Sequence, residues 1–272
     1  MKLKKLREYE FNNNDIYILE TFGNKIIINN NENGLIFLDS YFKLHDSANL
    51  DQSVYIYSVF KNFINNKILL YCPDEKTLIY YQCANNKFSF IPLKNFNQML
   101  SKCYYWKNDI CIIVNYDLQF YTVDFDKTLL KRIPQDSVQI YNQLFYNFCT
   151  EIKKYEYLYQ INGIESNFIF CDQETNKVIY YDYLNSYKKV INKPAFDYHD
   201  LIYTDEIFVF IAETKIEVIF DNLNIKLYPD TPDCIFLKAC FVKENEKKFL
   251  VILSSYKGNN KHTKLISYSI LI

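Results

Sequence analysis

Two dipeptides, His45-Asp46 and His199-Asp200, pair an imidazole with a carboxylate, the ligand types of a zinc site. A zinc site needs three or four such ligands at a readable spacing. His262 is the only other histidine and has no such spacing to either pair, so no metal site is expected. No Asp-x-Asp-x-Asp-Gly calcium loop is present. The chain also lacks a Gly-x-Ser-x-Gly elbow, a phosphate-cradling Gly-rich loop and a dinucleotide fingerprint. No catalytic residue and no cofactor are therefore assigned. Carboxylates in loops remain, among them Asp74, Glu75, Glu174 and Glu213, together with clustered tyrosines. Two carboxylates held at the right separation can run glycoside chemistry. That leaves a hydrolase or lyase with a carboxylate-lined central pocket as the alternative to a binding role.

Whatever these residues do, a repeated element must position them. Six apolar runs begin at Ile26, Ile68, Ile110, Phe168, Ile207 and Phe249, spaced at 42, 42, 58, 39 and 42 residues. Each is followed by a polar turn and a second run rich in Tyr, Phe and Ile. Recurrence at one such period is the mark of stacked or circular sheet arrays. In the second unit, Val54–Phe60 alternates and 67–72 is continuously apolar. A turn comes next at 73–76, then 77–83 alternates and 88–93 is a shorter strand. A continuous apolar run reads as a strand buried on both faces, and alternating runs read as strands nearer a rim. Each unit is thus a four-stranded antiparallel meander.

The hairpins Ile79-Tyr80-Tyr81-Gln82…Asn86-Lys87-Phe88 and Val178-Ile179-Tyr180-Tyr181-Asp182…Tyr187 resemble those of the β-propeller superfamily, of kelch and WD type. The double glycine of kelch repeats is missing, as are the Trp-Asp and Gly-His pairs of WD repeats. The resemblance therefore implies architecture only, and no functional residue is carried over. The sixth unit stops after its third strand, while Lys2–Tyr9 precedes the first unit without a partner. The expectation is an all-β, single-domain protein spanning 1–272. It would be a six-bladed β-propeller of four-stranded antiparallel blades, with an N-terminal strand closing the last blade.

Composition narrows the function. The net charge is −1 and no basic run stands out, which argues against nucleic acid as a partner. No apolar run is long enough to span a bilayer, and Met1–Glu10 lacks the apolar stretch of a secretory signal, so a cytoplasmic, non-membrane protein is expected. The 8 cysteines fall mostly in strand-like runs without a Cys-x-x-Cys pair, as small buried hydrophobes in a reducing compartment do. With only 4 glycines, asparagines such as Asn29-Asn30-Asn31, Asn65-Asn66, Asn85-Asn86 and Asn259-Asn260 are expected to take the left-handed turn positions. Trp106, the single tryptophan, reads as a packing residue.

Two features point to a partner. Loops between second and third strands, and between blades, carry many acids, including Asp74, Glu75, Glu174 and Glu213, whereas the opposite loops are richer in lysine. An acidic end would steer a basic partner. The long fourth interval marks an insertion at 135–166 holding Tyr146, Phe148, Tyr155, Tyr157 and Tyr159. Insertions in repeat arrays usually decorate a binding face, and exposed tyrosine is a frequent interface anchor. The reading is a non-catalytic protein-binding propeller, in a narrower form an inhibitor or immunity-type partner of a toxin or effector.

Overall fold

In the computed structural model, residues are described except 1, 13, 63, 95, 144, 148–154, 161–166, 173, 183–186, 205, 245–246 and 272; for 155–160, 167 and 259–261 only the backbone is described. The chain folds into six four-stranded antiparallel sheets, the arrangement of a six-bladed β-propeller. Strand β1 spans Lys2–Asn12. The first blade holds β2 (Leu19–Phe22), β3 (Lys25–Asn29), β4 (Gly34–Leu38) and β5 (Leu44–Asn49). The second holds β6 (Ser58–Asn62), β7 (Lys67–Cys72), β8 (Thr77–Gln82) and β9 (Lys87–Pro92). The third holds β10 (Leu100–Lys107), β11 (Ile110–Asn115), β12 (Phe120–Asp124) and β13 (Leu129–Ile133). Helix α1 (Gln135–Tyr141) comes next, then β14 (Tyr155–Gln160), β15 (Asn167–Asp172), β16 (Lys177–Asp182) and β17 (Tyr187–Asn192). The fifth blade is β18 (Asp200–Thr204), β19 (Ile207–Ala212), β20 (Lys215–Phe220) and β21 (Leu223–Leu227). Strands β22 (Cys234–Glu244), β23 (Lys247–Tyr256) and β24 (Asn259–Leu271) complete the chain.

The closure expected from the sequence is present. Strand β1 pairs antiparallel with β24, from Lys2 opposite Leu271 to Asn12 opposite His262, and supplies the fourth strand of the last blade. Its burial pattern is mostly exposed, as suits an outer strand whose lysines discourage further edge pairing. Lys5 lies 2.6 Å from Glu8 and 3.1 Å from Asp230, and Lys264 lies 3.1 Å from Glu8. The contacts to Asp230 and from Lys264 tie the first strand to the last blade and the chain leading into it, while Lys5–Glu8 lies within β1.

The chain forms two compact units, Met1–Val54 with Pro194–Ile272, and Tyr55–Lys193. The first holds the first, fifth and sixth blades, and the second holds the middle three. The second strands of the blades are heavily buried. Every residue of β19 is buried, whereas β21 is exposed or half-buried throughout. The continuous apolar runs are those buried strands, because residues on both pleat faces meet neighbouring side chains.

Turns explain the scarcity of glycine. Asn31, Asn66, Asn86, Asn108 and Asn176 all have φ between 48° and 56°. Asn259-Asn260 is different: it begins β24, and the neighbouring turn is made by Gly258 at φ 74°. Gly34, at φ 131°, cannot be replaced by Asn. A Cβ there would lie 2.0 Å from the Ala48 carbonyl oxygen, because β4 and β5 pass too closely at this point.

In the middle unit, Trp106 on β10 is 1% exposed and stacks on Phe125 with centroids 5.6 Å apart. It packs in a cluster with Phe60, Leu69 and Tyr80 of the second blade and Tyr104 and Cys111 of the third. No disulfide occurs among the described residues. Burial pushes the thiols of Cys72 and Cys111 well up from the ordinary range, consistent with inert packing. No helix among the described residues is long and apolar enough to cross a membrane.

Candidate functional site

The site begins with strand alternation. Ahead of β6, Ile56 is buried, while Tyr55 and Tyr57 on either side of it are 42% and 40% exposed. A period of two forces this: one face takes the core, and both tyrosines go to the other. The Tyr57 amide donates to the Tyr71 carbonyl at 2.8 Å, placing this stretch beside the end of β7. That end leads into the turn 73–76, so Tyr55, Tyr57, Asp74 and Glu75 share one end of the second blade. The Tyr55 amide donates to a Glu75 carboxylate oxygen at 3.2 Å.

The third blade brings the rest. Its turn after β11 carries Tyr116 and Asp117 and is held by the Leu118 amide donating to the Asn115 carbonyl at 3.1 Å, with Leu118 at φ 57°. Buried Asn115 accepts from the Gln119 amide at 2.7 Å, which braces the turn from within. The Tyr116 amide donates to the Met99 carbonyl at 3.3 Å. The Tyr71 hydroxyl reaches the Met99 sulfur at 3.5 Å, and the Tyr57 and Tyr71 rings meet edge to face at 6.0 Å. The Tyr57 side chain lies close enough to the Tyr116 phenol to raise its pKa.

Tyr57, Met99 and Tyr116 thus form one surface cluster over Tyr71, with Tyr55 beside it. Tyr116 is 62% exposed overall, yet burial and then the neighbouring Tyr57 side chain push its phenol pKa well up. Both hold together if the hydroxyl end is tucked against neighbours and the ring faces water. Burial likewise raises the phenol pKa of Tyr71 beneath it. The phenols stay neutral donors and acceptors across physiological pH.

Acids rim the cluster. Asp74, Glu75 and Asp117 are exposed, and none has a salt bridge among the described residues; Asp117 accepts from the Gln98 side-chain amide at 3.0 Å. Lys76 on the same turn as Glu75 offsets one of these charges. The opposite end of these blades differs, since Lys67 contacts Asp109 and Lys127 lies 3.7 Å from Asp124. Two of its lysines are thus paired with acids, whereas Asp74, Glu75 and Asp117 have no salt bridge among the described residues.

The sequence-predicted residues separate accordingly. Asp74 and Glu75 lie at the cluster. Glu174 is exposed on the equivalent turn of the fourth blade, its amide bonded to Asp172 Oδ1 at 3.0 Å. Glu213 is exposed on the equivalent turn of the fifth blade, in the other unit. Tyr146 is half-buried, and its amide donates to the Asn142 carbonyl at 3.1 Å. Phe148 lies outside the described residues. Tyr155, Tyr157 and Tyr159 belong to β14, the first strand of the fourth blade, which pairs with β15. The connection from β13 to β14, which α1 opens, is longer than the other links between blades. Pro134 starts that helix with φ −57°, as its ring requires. Val138 and Phe145 are fully buried, and Phe145 stacks on Phe168 with centroids 5.9 Å apart. This part of the insertion fills the space between the third and fourth blades, while Ile140 remains 85% exposed.

The His-Asp pairs do not converge on a metal. His45 and Asp46 are exposed on β5, and His199 Nε2 is 2.8 Å from the Leu237 carbonyl. No group of three or more His, Cys, Asp or Glu side chains fit for a metal occurs among the described residues. The sequence matches no protein-family model and no curated protein sequence. The class the structure defines is a six-bladed β-propeller.

Proposed function

We propose that this propeller acts by binding another protein, through the aromatic cluster at the end of its second and third blades. The observation that supports this reading is a contiguous group of exposed Tyr57, Tyr116 and Met99, backed by Tyr71 and rimmed by acids without salt bridges. Exposed aromatic residues rimmed by polar groups mark protein interaction sites. Tyrosine gives a large contact area at little entropic cost, and Met adapts to irregular surfaces. The carboxylates of Asp74, Glu75 and Asp117 complement a basic partner, and an arginine seated on a tyrosine face would add a cation–π contact.

An inhibitor or immunity-type partner of a toxin or effector is the narrower form of this reading; its specific test is capture of a toxin domain with a basic contact surface. The general reading is tested with a fluorescein-labelled Arg-rich peptide, titrated at low salt and followed by anisotropy. Asp74→Ser/Glu75→Ser is expected to weaken binding about tenfold, with the difference shrinking as salt rises. Equal affinity for both chains at low salt would remove the acidic rim from the site.

A further inference from the structure

The geometry points to a second site in the same unit, for a small organic anion with an apolar or aromatic body. A cavity of about 710 Å³ runs between Leu93, Lys94 and Phe96–Gln98, which follow the outer strand of the second blade, and β12 and β13 of the third blade. That is the volume of a small-molecule site. Phe96 and Tyr121 lie in it edge to face, with centroids 5.1 Å apart, beside Leu93 and Leu130. Lys94, Lys127 and Arg132 line it, and no carboxylate does among the described residues. Lys127 already has Asp124 at 3.7 Å, but Lys94 and Arg132 make no salt bridge among the described residues. Arg132 is the register partner of Tyr121, across the β12–β13 pair. The Tyr121 hydroxyl is anchored by Gln98 at 3.0 Å and Gln119 at 2.8 Å. Asp117, bonded to Gln98 from outside the cavity wall, is the nearby negative charge.

This combination selects a ligand chemistry. The apolar and aromatic lining accepts a flat or hydrocarbon body. A guanidinium and an ammonium without acidic partners accept a carboxylate, sulfonate or phosphate, and arginine does so with two parallel hydrogen bonds. The site is distinct from the aromatic cluster, which is rimmed by acids.

The probe is 8-anilinonaphthalene-1-sulfonate, titrated against the folded full-length chain and followed by fluorescence. A saturable single site is expected. Lys94→Ala/Arg132→Ala should weaken it about tenfold or more, and Arg132→Lys with Lys94 intact by a smaller factor. Tyr57→Ser/Tyr116→Ser should leave it unchanged, and circular dichroism melts show that each variant is folded. Non-saturable binding, an unchanged constant in the double cation variant, or loss confined to the tyrosine variant would each overturn the proposal.

Discussion

Single residues in this protein are divided between packing and presentation, and Trp106 shows how the two are told apart. Its rarity invites a ligand-platform reading, but it is buried against Phe125 with its indole nitrogen unpartnered among the described residues. A buried donor without a partner is a cost the fold carries for the packing of the ring. Trp106→Ala should therefore destabilise the protein by about 3–5 kcal/mol. Trp106→Phe keeps most of the apolar volume and removes the orphan donor, so it should cost less than about 1.5 kcal/mol. Urea unfolding checks both, and equal losses would mean that the indole nitrogen has a structural partner. Tyr116 is the converse: it is 62% exposed on a braced turn, where a side chain is available for contact.

Among the elements, β1 carries the greatest consequence, because the last blade is incomplete without it. Hydrogen bonds from Lys5 and then Lys264 hold the Glu8 carboxyl below the usual carboxylate range. A depressed pKa in the folded state means that ionised Glu8 stabilises the fold above the ordinary Glu range, its Lys264 pair joining β1 to β24, and loses that contribution as pH falls through the folded value. These side chains are partly exposed, so water screens the pairs to about 0.5 kcal/mol. Thermal melts from pH 7 to pH 3 should show Glu8→Gln less stable than wild type at neutral pH, with the gap closing on acidification. A gap independent of pH would assign the effect to packing. This strand was legible in the sequence because Lys2–Tyr9 had no partner in the first unit while the last unit lacked a strand. The buried second strands were legible for the same kind of reason: runs such as Ile207–Ala212 admit no exposed face. Strand β5, reading Leu-His-Asp-Ser-Ala-Asn, carried no such pattern, since its place on the blade rim needs only backbone pairing. The aromatic cluster was harder still. Its half at Tyr55 and Tyr57 stood in a visible alternation, but Met99 and Tyr116 join it only through the packing of two blades. Gly34 hid its role too, because the close approach of Ala48 depends on strand register.

For the molecule as a whole, the propeller gives short, braced turns at the ends of rigid sheets, a good mounting for contact residues. The proposed contact surface lies within the unit Tyr55–Lys193, and the terminal closure lies within the other, so each can be altered without touching the residues of its counterpart. The most telling measurement is capture from the native lysate, with wild type and Tyr57→Ser/Tyr116→Ser compared by quantitative mass spectrometry. We expect a partner with a basic contact surface, retained by wild type and depleted about tenfold or more on the variant. Identical proteins retained in identical amounts by both chains would contradict a partner-binding role for this surface.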